Sequence, residues 1–435
     1  MSHPLKALSL AYYPAVTNHI ADDPTPKDQA VYVPSVSPGF AMDVHAANWT
    51  RPLPNGISSN MLNFLDPANR DFFSISHVMS SAGQALRQPR PCIITDRDRS
   101  STTLICDSGG YQIASGRMKI TSDQDRLDIL RWMELHADYA MTLDVPTGPV
   151  RRDPNYAFKS FRDCLTQTSD HLAFFERHRQ TNAVELLNVL QGNDPNEADA
   201  WYDEVKKYAF EGWAFAGILR NDLYQLCRRV LIMANEGQIE TKTWIHVLGT
   251  SDLETAVLLT ALQRSINRHI NPRLRISFDT SSPFRALAQK RAFTIPTFTS
   301  KEMSMPMRAV PDGAKFVGSD VRWPWPSPIG DRMTLSDFCV SRPPTAMSFH
   351  DKLSNHLLAH HNLAALCWGI SLANRVFDSE TVDHHHSIVP HVGAGVEAID
   401  RVLASGSLAT LATYKPTFAM LRHSDAYDTG DEHRE

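Results

Sequence analysis

The chain has 435 residues, 42% of them hydrophobic, and a formal net charge of -5. It is globular and long enough for one large domain with an appendage, or for two domains, and no apolar run reaches the roughly 18 residues of a membrane span. The mild acidity argues against a non-specific polyanion binder but allows a local basic groove.

Residues 1–100 are irregular and proline-rich, punctuated by Pro24-Thr25-Pro26 and by prolines from Pro34 to Pro54. They are expected to supply the first strand of a barrel together with insertions. From about residue 103, short apolar runs alternate with amphipathic stretches. The expected strands are Leu104–Cys106, Tyr139–Leu143, Leu186–Leu190, Trp213–Ala216, Trp244–Leu248, Leu274–Phe278 and Lys315–Val317. Helical patterns fall between them at Asp123–His136, Asn196–Phe210, Asp222–Asn235 and Leu253–Arg268. Seven or eight βα units at this spacing predict an α/β fold of the TIM type, a (β/α)8 barrel. Residues 300–345 are again proline-rich, with Arg322-Trp323-Pro324-Trp325-Pro326, and read as a long functional loop or subdomain. Helical patterns resume at Asp351–Phe377 and Val392–Leu403, and the polar, acidic tail from about His423 is expected to be disordered. The division expected is thus an N-terminal barrel start with insertions (1–100), a barrel core (101–320), a C-terminal loop and helical subdomain (321–422) and a tail (423–435).

Six scattered cysteines (Cys92, Cys106, Cys164, Cys227, Cys339, Cys367) fit reduced thiols rather than a disulfide framework. The N-terminal residues lack the charged and apolar regions of a signal peptide. Both features point to a cytoplasmic protein.

Nearly every expected strand ends in a polar residue or glycine: Asp107, Asp144, Gln191, Gly217, Gly249 and Asp279. In a barrel of this type the strand C-termini converge on the face that carries the active site. One at a time, such residues are ordinary turns or helix caps; six in succession suggest a common cavity. The most distinctive stretch is Asp107-Ser108-Gly109-Gly110-Tyr111-Gln112. Its glycines allow a sharp turn and close approach of a flat ligand, its ring offers a stacking face, and its carboxylate and carboxamide offer hydrogen bonds to an edge. That is equipment for holding a nucleobase. Two basic clusters, Arg87/Arg90/Arg97/Arg99 and Arg285/Lys290/Arg291, are candidates for contacts with an anionic backbone or for solvated surface.

These blocks resemble the tRNA-guanine transglycosylase superfamily, whose members exchange guanine for a 7-deazaguanine within a polynucleotide. DSGGYQ at Asp107–Gln112 resembles a family signature, and Met141-Thr142-Leu143-Asp144 the strand that ends in a base-recognising aspartate. Val189-Leu190-Gln191-Gly192 and Glu211–Gly217 resemble the family's glutamine-glycine and glycine-rich recognition strands. Phe278-Asp279-Thr280-Ser281-Ser282-Pro283-Phe284-Arg285 matches the register that carries the nucleophilic aspartate. The likeness spans roughly residues 103–290, with a weaker echo to about 375.

The resemblance implies that Asp279 attacks the anomeric carbon and that Asp107 shuttles the proton of the departing and incoming base, or serves as a recognition group. It further implies that Ser108, Tyr111, Asp144, Gln191, Gly217 and Leu248 bind the base, Tyr111 stacking on one face and Leu248 or Ile218 closing the other. No cofactor is required. The family's tRNA enzymes hold zinc through three clustered cysteines and the histidine of an H-N-L triplet. Here His361-Asn362-Leu363 is present, but Cys339 stands alone, so Cys339 and His361 are the remaining zinc candidates, with other histidines nearby (His350, His356, His360). The usual N-terminal glycine- and histidine-containing motifs are also missing.

A kept chemical site with rebuilt flanks is similar to the DNA-guanine transglycosylases that insert 7-cyano-7-deazaguanine into DNA, alongside other proteins of a DNA-modification system. Arg285, Arg322, Trp323 and Trp325 are then candidates for contacting nucleic acid, the tryptophans by stacking. A divergent enzyme acting on tRNA is the alternative, and a non-catalytic nucleic-acid-binding subunit a third reading, against which the presence of both Asp107 and Asp279 argues.

Overall fold

Eight short parallel strands form the centre of the molecule in the computed structural model, which describes residues 27–88, 90–250, 252–343, 345–383 and 389–421; the side chains of 111, 114 and 380–383 lie outside that set. The strands are β1 (Val31–Pro34), β2 (His77–Ser81), β3 (Thr103–Asp107), β4 (Tyr139–Met141), β5 (Glu185–Leu190), β6 (Gly212–Phe215), β7 (Trp244–Val247) and β8 (Arg275–Thr280). Each pairs with its sequence neighbour from β2 through β8, and β8 pairs with β1. A parallel bridge between Ser35 and Met79, with Val36 N–H donating to the Met79 carbonyl at 2.9 Å, joins β1 to β2 and nearly closes the barrel.

The strands are buried on both faces, which is why they read as apolar runs rather than as clean alternation. Side chains at every second position fill the lumen with a core of its own, built from Val31, Val33, Met79, Ile105, Met141, Leu187, Val189, Ala214 and Trp244. The intervening residues, such as Leu104, Leu186, Phe215, Ile245 and Phe278, face outward into the larger core beneath the helices.

The principal helices are α1 (Pro38–Ala46), α2 (Asp123–His136), α3 (Phe161–His178), α4 (Pro195–Val205), α5 (Leu223–Asn235), α6 (Leu253–His269), α7 (Lys352–Asp383) and α8 (Pro390–Ser405). Helices α2 to α6 open on side-chain caps at Ser122, Ser160, Asp194, Asp222 and Asp252, each accepting first-turn backbone N–H groups. A cap of this kind contributes about 1 kcal/mol. Helices α7 and α8 pack on α6, and α7 also covers the short helix Ser282–Ala288 that follows β8. Arg264 of α6 forks onto Asp378 of α7 at 2.7 and 2.9 Å.

The fold is the expected TIM-type barrel with an N-terminal insertion and a C-terminal helical subdomain. Two details differ. Residues 1–100 supply two barrel strands rather than one, because β2, whose sequence is His-Val-Met-Ser-Ser, carries too few β-branched residues to signal a strand. Lys315–Val317 is not a strand: Ala314–Phe316 forms a 3-10 turn between Gly313 and Gly318, with Lys315 and Val317 exposed. After β8 come two small antiparallel ladders instead, Arg291–Phe293 with Met307–Ala309 and Thr297–Phe298 with Met303–Ser304. The tail from 423, the His384-His385-His386 run and Pro24-Thr25-Pro26 lie outside the described residues. Among the described residues no helix is long and apolar enough to cross a membrane.

Candidate active site

Because the strands are parallel, Asp107, Asp144, Gln191, Gly217, Gly249 and Asp279 all fall at one end of the barrel, at or just beyond the C-termini of β3 to β8. The three aspartates are not caps of the long helices; Ser122 and Ser160 cap those that follow β3 and β4, and Asp194, Asp222 and Asp252 those that follow β5, β6 and β7. The strand-end carboxylates are left to face one another across the lumen.

Asp279 is buried, and its Oδ1 accepts two hydrogen bonds: from the Gly249 N–H at 2.7 Å and from His246 Nε2 at 3.2 Å. Asp144 is also buried, and its Oδ2 accepts from Gln191 Nε2 at 2.8 Å. Burial pushes the Asp144 carboxyl up to about 7, with the Gln191 hydrogen bond pulling down and the negative charge of Asp107 adding to the rise. Asp107 opens partly onto the lumen. Burial raises it to about 6; the Ser81 hydroxyl and the Gly109 N–H oppose the rise and the Asp279 charge reinforces it. Carboxyl groups poised in this range can carry a proton at neutral pH and also release it.

The backbone of the signature is a turn followed by the short helix Gly110–Ala114. Asp107 Oδ2 accepts from the Gly109 N–H at 3.1 Å and so braces its own turn. A Cβ added at Gly110 would lie 3.1 Å from Asp144 Oδ1, so the turn brings the signature directly against the second aspartate. Gly217 has φ +55° and ψ -134°, and a Cβ there would sit 2.2 Å from the Gly192 carbonyl oxygen. Only glycine lets the loops after β5 and β6 touch in this way.

Leu248 packs against the lumen core at the rim. Ser108 is fully buried, and its hydroxyl donates to the Thr142 carbonyl at 3.2 Å, tying the signature turn to the loop after β4. Gln112 is buried too, its Oε1 accepting from the Ser81 hydroxyl at 3.1 Å. The Tyr111 side chain lies outside the described residues.

Four lumen residues escape the strand-end reading: Ser81, Trp244, His246 and Ser277. Strict alternation would have found them, since Trp244, His246 and Leu248 share one face of β7 and its extension, as Ser277 and Asp279 share one face of β8.

The outer candidates divide. Arg285 is exposed on the short helix immediately after β8, and Arg322 is exposed beside its bridge to Thr334. Trp323 is no free platform. It is 6% exposed, stacks on Phe338 with ring centroids 4.4 Å apart, meets Trp325 edge-on at 4.8 Å and donates its indole N–H to His361 Nδ1 at 3.3 Å. Trp325 is half-buried against the same core. In the earlier basic cluster, Arg97 and Arg99 both pair with Asp138 at the opposite, N-terminal end of β4 and belong to the scaffold.

The zinc candidates are not brought together as ligands. Both ring nitrogens of His361 are engaged, Nε2 donating to the Phe293 carbonyl at 2.9 Å and Nδ1 accepting from the Ser327 hydroxyl at 2.8 Å and from Trp323. Cys339 instead lies with Asp312 and His350, their ligand atoms within 4.8 Å of one another. That set does not fit a thiolate-rich tetrahedral zinc centre. Burial raises the Cys339 thiol, which donates to the Pro311 carbonyl at 3.4 Å, and the Asp312 carboxylate is already paired with the Lys290 ammonium.

In comparisons with known proteins, no family model and no curated protein matches this chain. The functional reading therefore stands on the geometry of the barrel mouth and on the motif resemblance.

Proposed function

We propose that the protein is a guanine transglycosylase that exchanges guanine in DNA for a 7-deazaguanine, such as 7-cyano-7-deazaguanine, through a covalent aspartyl-glycosyl intermediate. The observation that carries this reading is the set of three carboxylates at one barrel mouth in three different environments: Asp279 anchored by two donors on one oxygen, Asp144 paired with a carboxamide, and Asp107 open to the lumen.

Base exchange on a glycoside needs a nucleophile and a proton carrier, as retaining glycosidases do. A carboxylate oxygen of Asp279 attacks the anomeric carbon, the bond from that carbon to the base breaks, and its electron pair leaves with guanine. Asp107 gives the departing base its proton and recovers one from the incoming base, whose attack releases Asp279 and restores the original sugar configuration. Guanine's N–H and exocyclic amine need an acceptor, supplied by Asp144, and its carbonyl needs donors, supplied by Gln191 and the Gly217 N–H. Leu248 or Ile218 is assigned to one face of the base, and the motif resemblance assigns Tyr111 to the other. A buried polar site of this kind rejects a base that leaves its groups unpaired by roughly four to five orders of magnitude, so adenine is excluded.

In a duplex the target guanosine has to leave the stack, at a cost of a few kcal/mol. The exposed Arg285, beside the nucleophile's loop, and the exposed Arg322 are the proposed contacts for backbone phosphates. DNA is favoured over tRNA because the zinc-holding part of the tRNA enzymes is absent from the sequence pattern and the Cys339 and His361 side chains have other partners. Nucleoside mass spectrometry of DNA and tRNA from cells that express the chain and are supplied with the deazaguanine base tests the proposal. Deazaguanine in DNA is the expected result; its appearance in tRNA alone makes the chain a divergent tRNA enzyme, and its absence from both removes the proposal.

A further inference from the structure

Asp279 ends a chain of hydrogen bonds that climbs the lumen between β7 and β8. At the lower end the Trp244 indole N–H donates to Ser277 Oγ at 2.6 Å. Ser277 Oγ lies 2.7 Å from His246 Nδ1, and His246 Nε2 lies 3.2 Å from Asp279 Oδ1. His246 and Ser277 are fully shielded from solvent, Trp244 is 5% exposed and Asp279 6%. Polar groups this deep are costly unless every one is paired, so the direction of each bond can be worked out.

Indole nitrogen only donates, so Ser277 Oγ accepts from Trp244 and keeps its own proton to give. The His246 Nδ1 beside it is the acceptor, which leaves Nδ1 bare and places the imidazole proton on Nε2. That proton points to Asp279 Oδ1, which also takes the Gly249 N–H at 2.7 Å. Both donors therefore fall on Oδ1, and among the described residues none falls on Oδ2.

We infer that His246, held as its neutral Nε2–H tautomer by Ser277 and Trp244, is the positioning residue that turns Oδ2 of Asp279 toward the sugar. The inference rests on the base-exchange reading for the identity of the electrophile. In that step the Oδ2–anomeric carbon bond forms, the bond from that carbon to the base breaks, and the base takes its proton from Asp107; His246 keeps its proton throughout. Neutrality suits the step. When Asp279 becomes an ester its negative charge disappears, and a cationic imidazole would be left unpaired in a dry lumen. A neutral donor holds Oδ1 without that penalty and draws less of the carboxylate charge away from the attacking oxygen than an imidazolium would.

Two measurements on the full chain test this. The first is the nitrogen-15 spectrum of histidine-labelled protein, with His246 assigned by difference from His246→Gln. A bare Nδ1 and a protonated Nε2 are expected, with the two forms mixing in Ser277→Ala. An imidazolium, or a proton on Nδ1, overturns the inference whether or not the protein is active.

The second is the single-turnover rate of covalent adduct formation with a guanosine-containing oligonucleotide, measured beside the affinity for free guanine. His246→Phe, which cannot donate, is expected to slow adduct formation by about 10²-fold while guanine affinity changes by less than about 3-fold. His246→Gln, which can donate, is expected to recover at least about tenfold of that loss. An unchanged adduct rate in His246→Phe, or loss of guanine affinity in step with the rate and no rescue by glutamine, contradicts the positioning role and leaves the nucleophile assignment standing. Failure of the unmodified protein to form any adduct removes the base-exchange reading, and with it the sugar as electrophile.

Discussion

The barrel mouth and the segment from 310 to 361 both drew attention for chemistry-bearing side chains, and they use them in opposite ways. At the mouth, three aspartates gather at the strand ends, two of them raised toward neutrality, and among the described residues none of the three has a lysine or arginine on its carboxyl oxygens. In the C-terminal segment, Trp323, His361 and Cys339 are satisfied by one another or by backbone carbonyls, and Asp312 is matched by Lys290. A cluster that answers its own hydrogen bonds holds a fold together. A cluster of like charges kept apart from counter-ions is unfavourable for the fold and therefore points to a function.

The sharpest way to break this contrast is at the nucleophile. Asp279→Ala is expected to lower base exchange by at least about 10⁴-fold while the protein stays folded, measured by single-turnover exchange and by the thermal transition. In the other region the effect should fall on stability. Trp323→Ala removes a buried ring and is expected to destabilise the protein by about 3–5 kcal/mol, read by denaturant unfolding. Selective loss of oligonucleotide affinity with stability intact would instead restore Trp323 as a stacking platform.

Asp144→Asn separates the two behaviours within one residue. The folded pKa of Asp144 lies near 7, above the ordinary 3.8. Its favourable contribution is thus complete below the ordinary value and is lost as pH rises through about 7. The asparagine variant escapes that loss and is expected to be more stable than the parent at pH 8, by on the order of 2–4 kcal/mol, and equal or weaker at pH 4. Guanine affinity should fall at the same time. A variant that is less stable at pH 8 would mean that the carboxylate is held by partners that favour its charge. The smallest effect is expected at the exposed rim: Arg285→Ala should weaken oligonucleotide binding several-fold and lower the salt-dependence slope by about 1, with no change in melting temperature.

The sequence made the barrel legible because βα alternation and polar strand ends are local signals. Helix Asp123–His136 agrees with its expected bounds at both ends, since Ser122 announces the start and Asp125 closes the capping box. Strand β2 was hidden because its pairing is supplied by β3 and not by its own residues. At the site, the six strand ends could be read, but their partners could not. His246 and Ser277 reach Asp279 through the register of β7 on β8, in which His246 sits opposite Ser277, and register is a tertiary fact. The same limit explains the tryptophans: a Trp-Pro-Trp loop looks like a platform until Phe338 and His361 are folded against it.

The central claim is that Asp279 is the nucleophile of a base-exchange site. Intact-protein mass spectrometry after incubation with a guanosine-containing oligonucleotide, followed by peptide mapping, tests it most directly. The account predicts a mass increase equal to the oligonucleotide less guanine, carried by the peptide that contains Asp279 and missing in Asp279→Ala. No adduct on the unmodified protein with either DNA or tRNA, or an equal adduct in the Asp279→Ala variant, would contradict it.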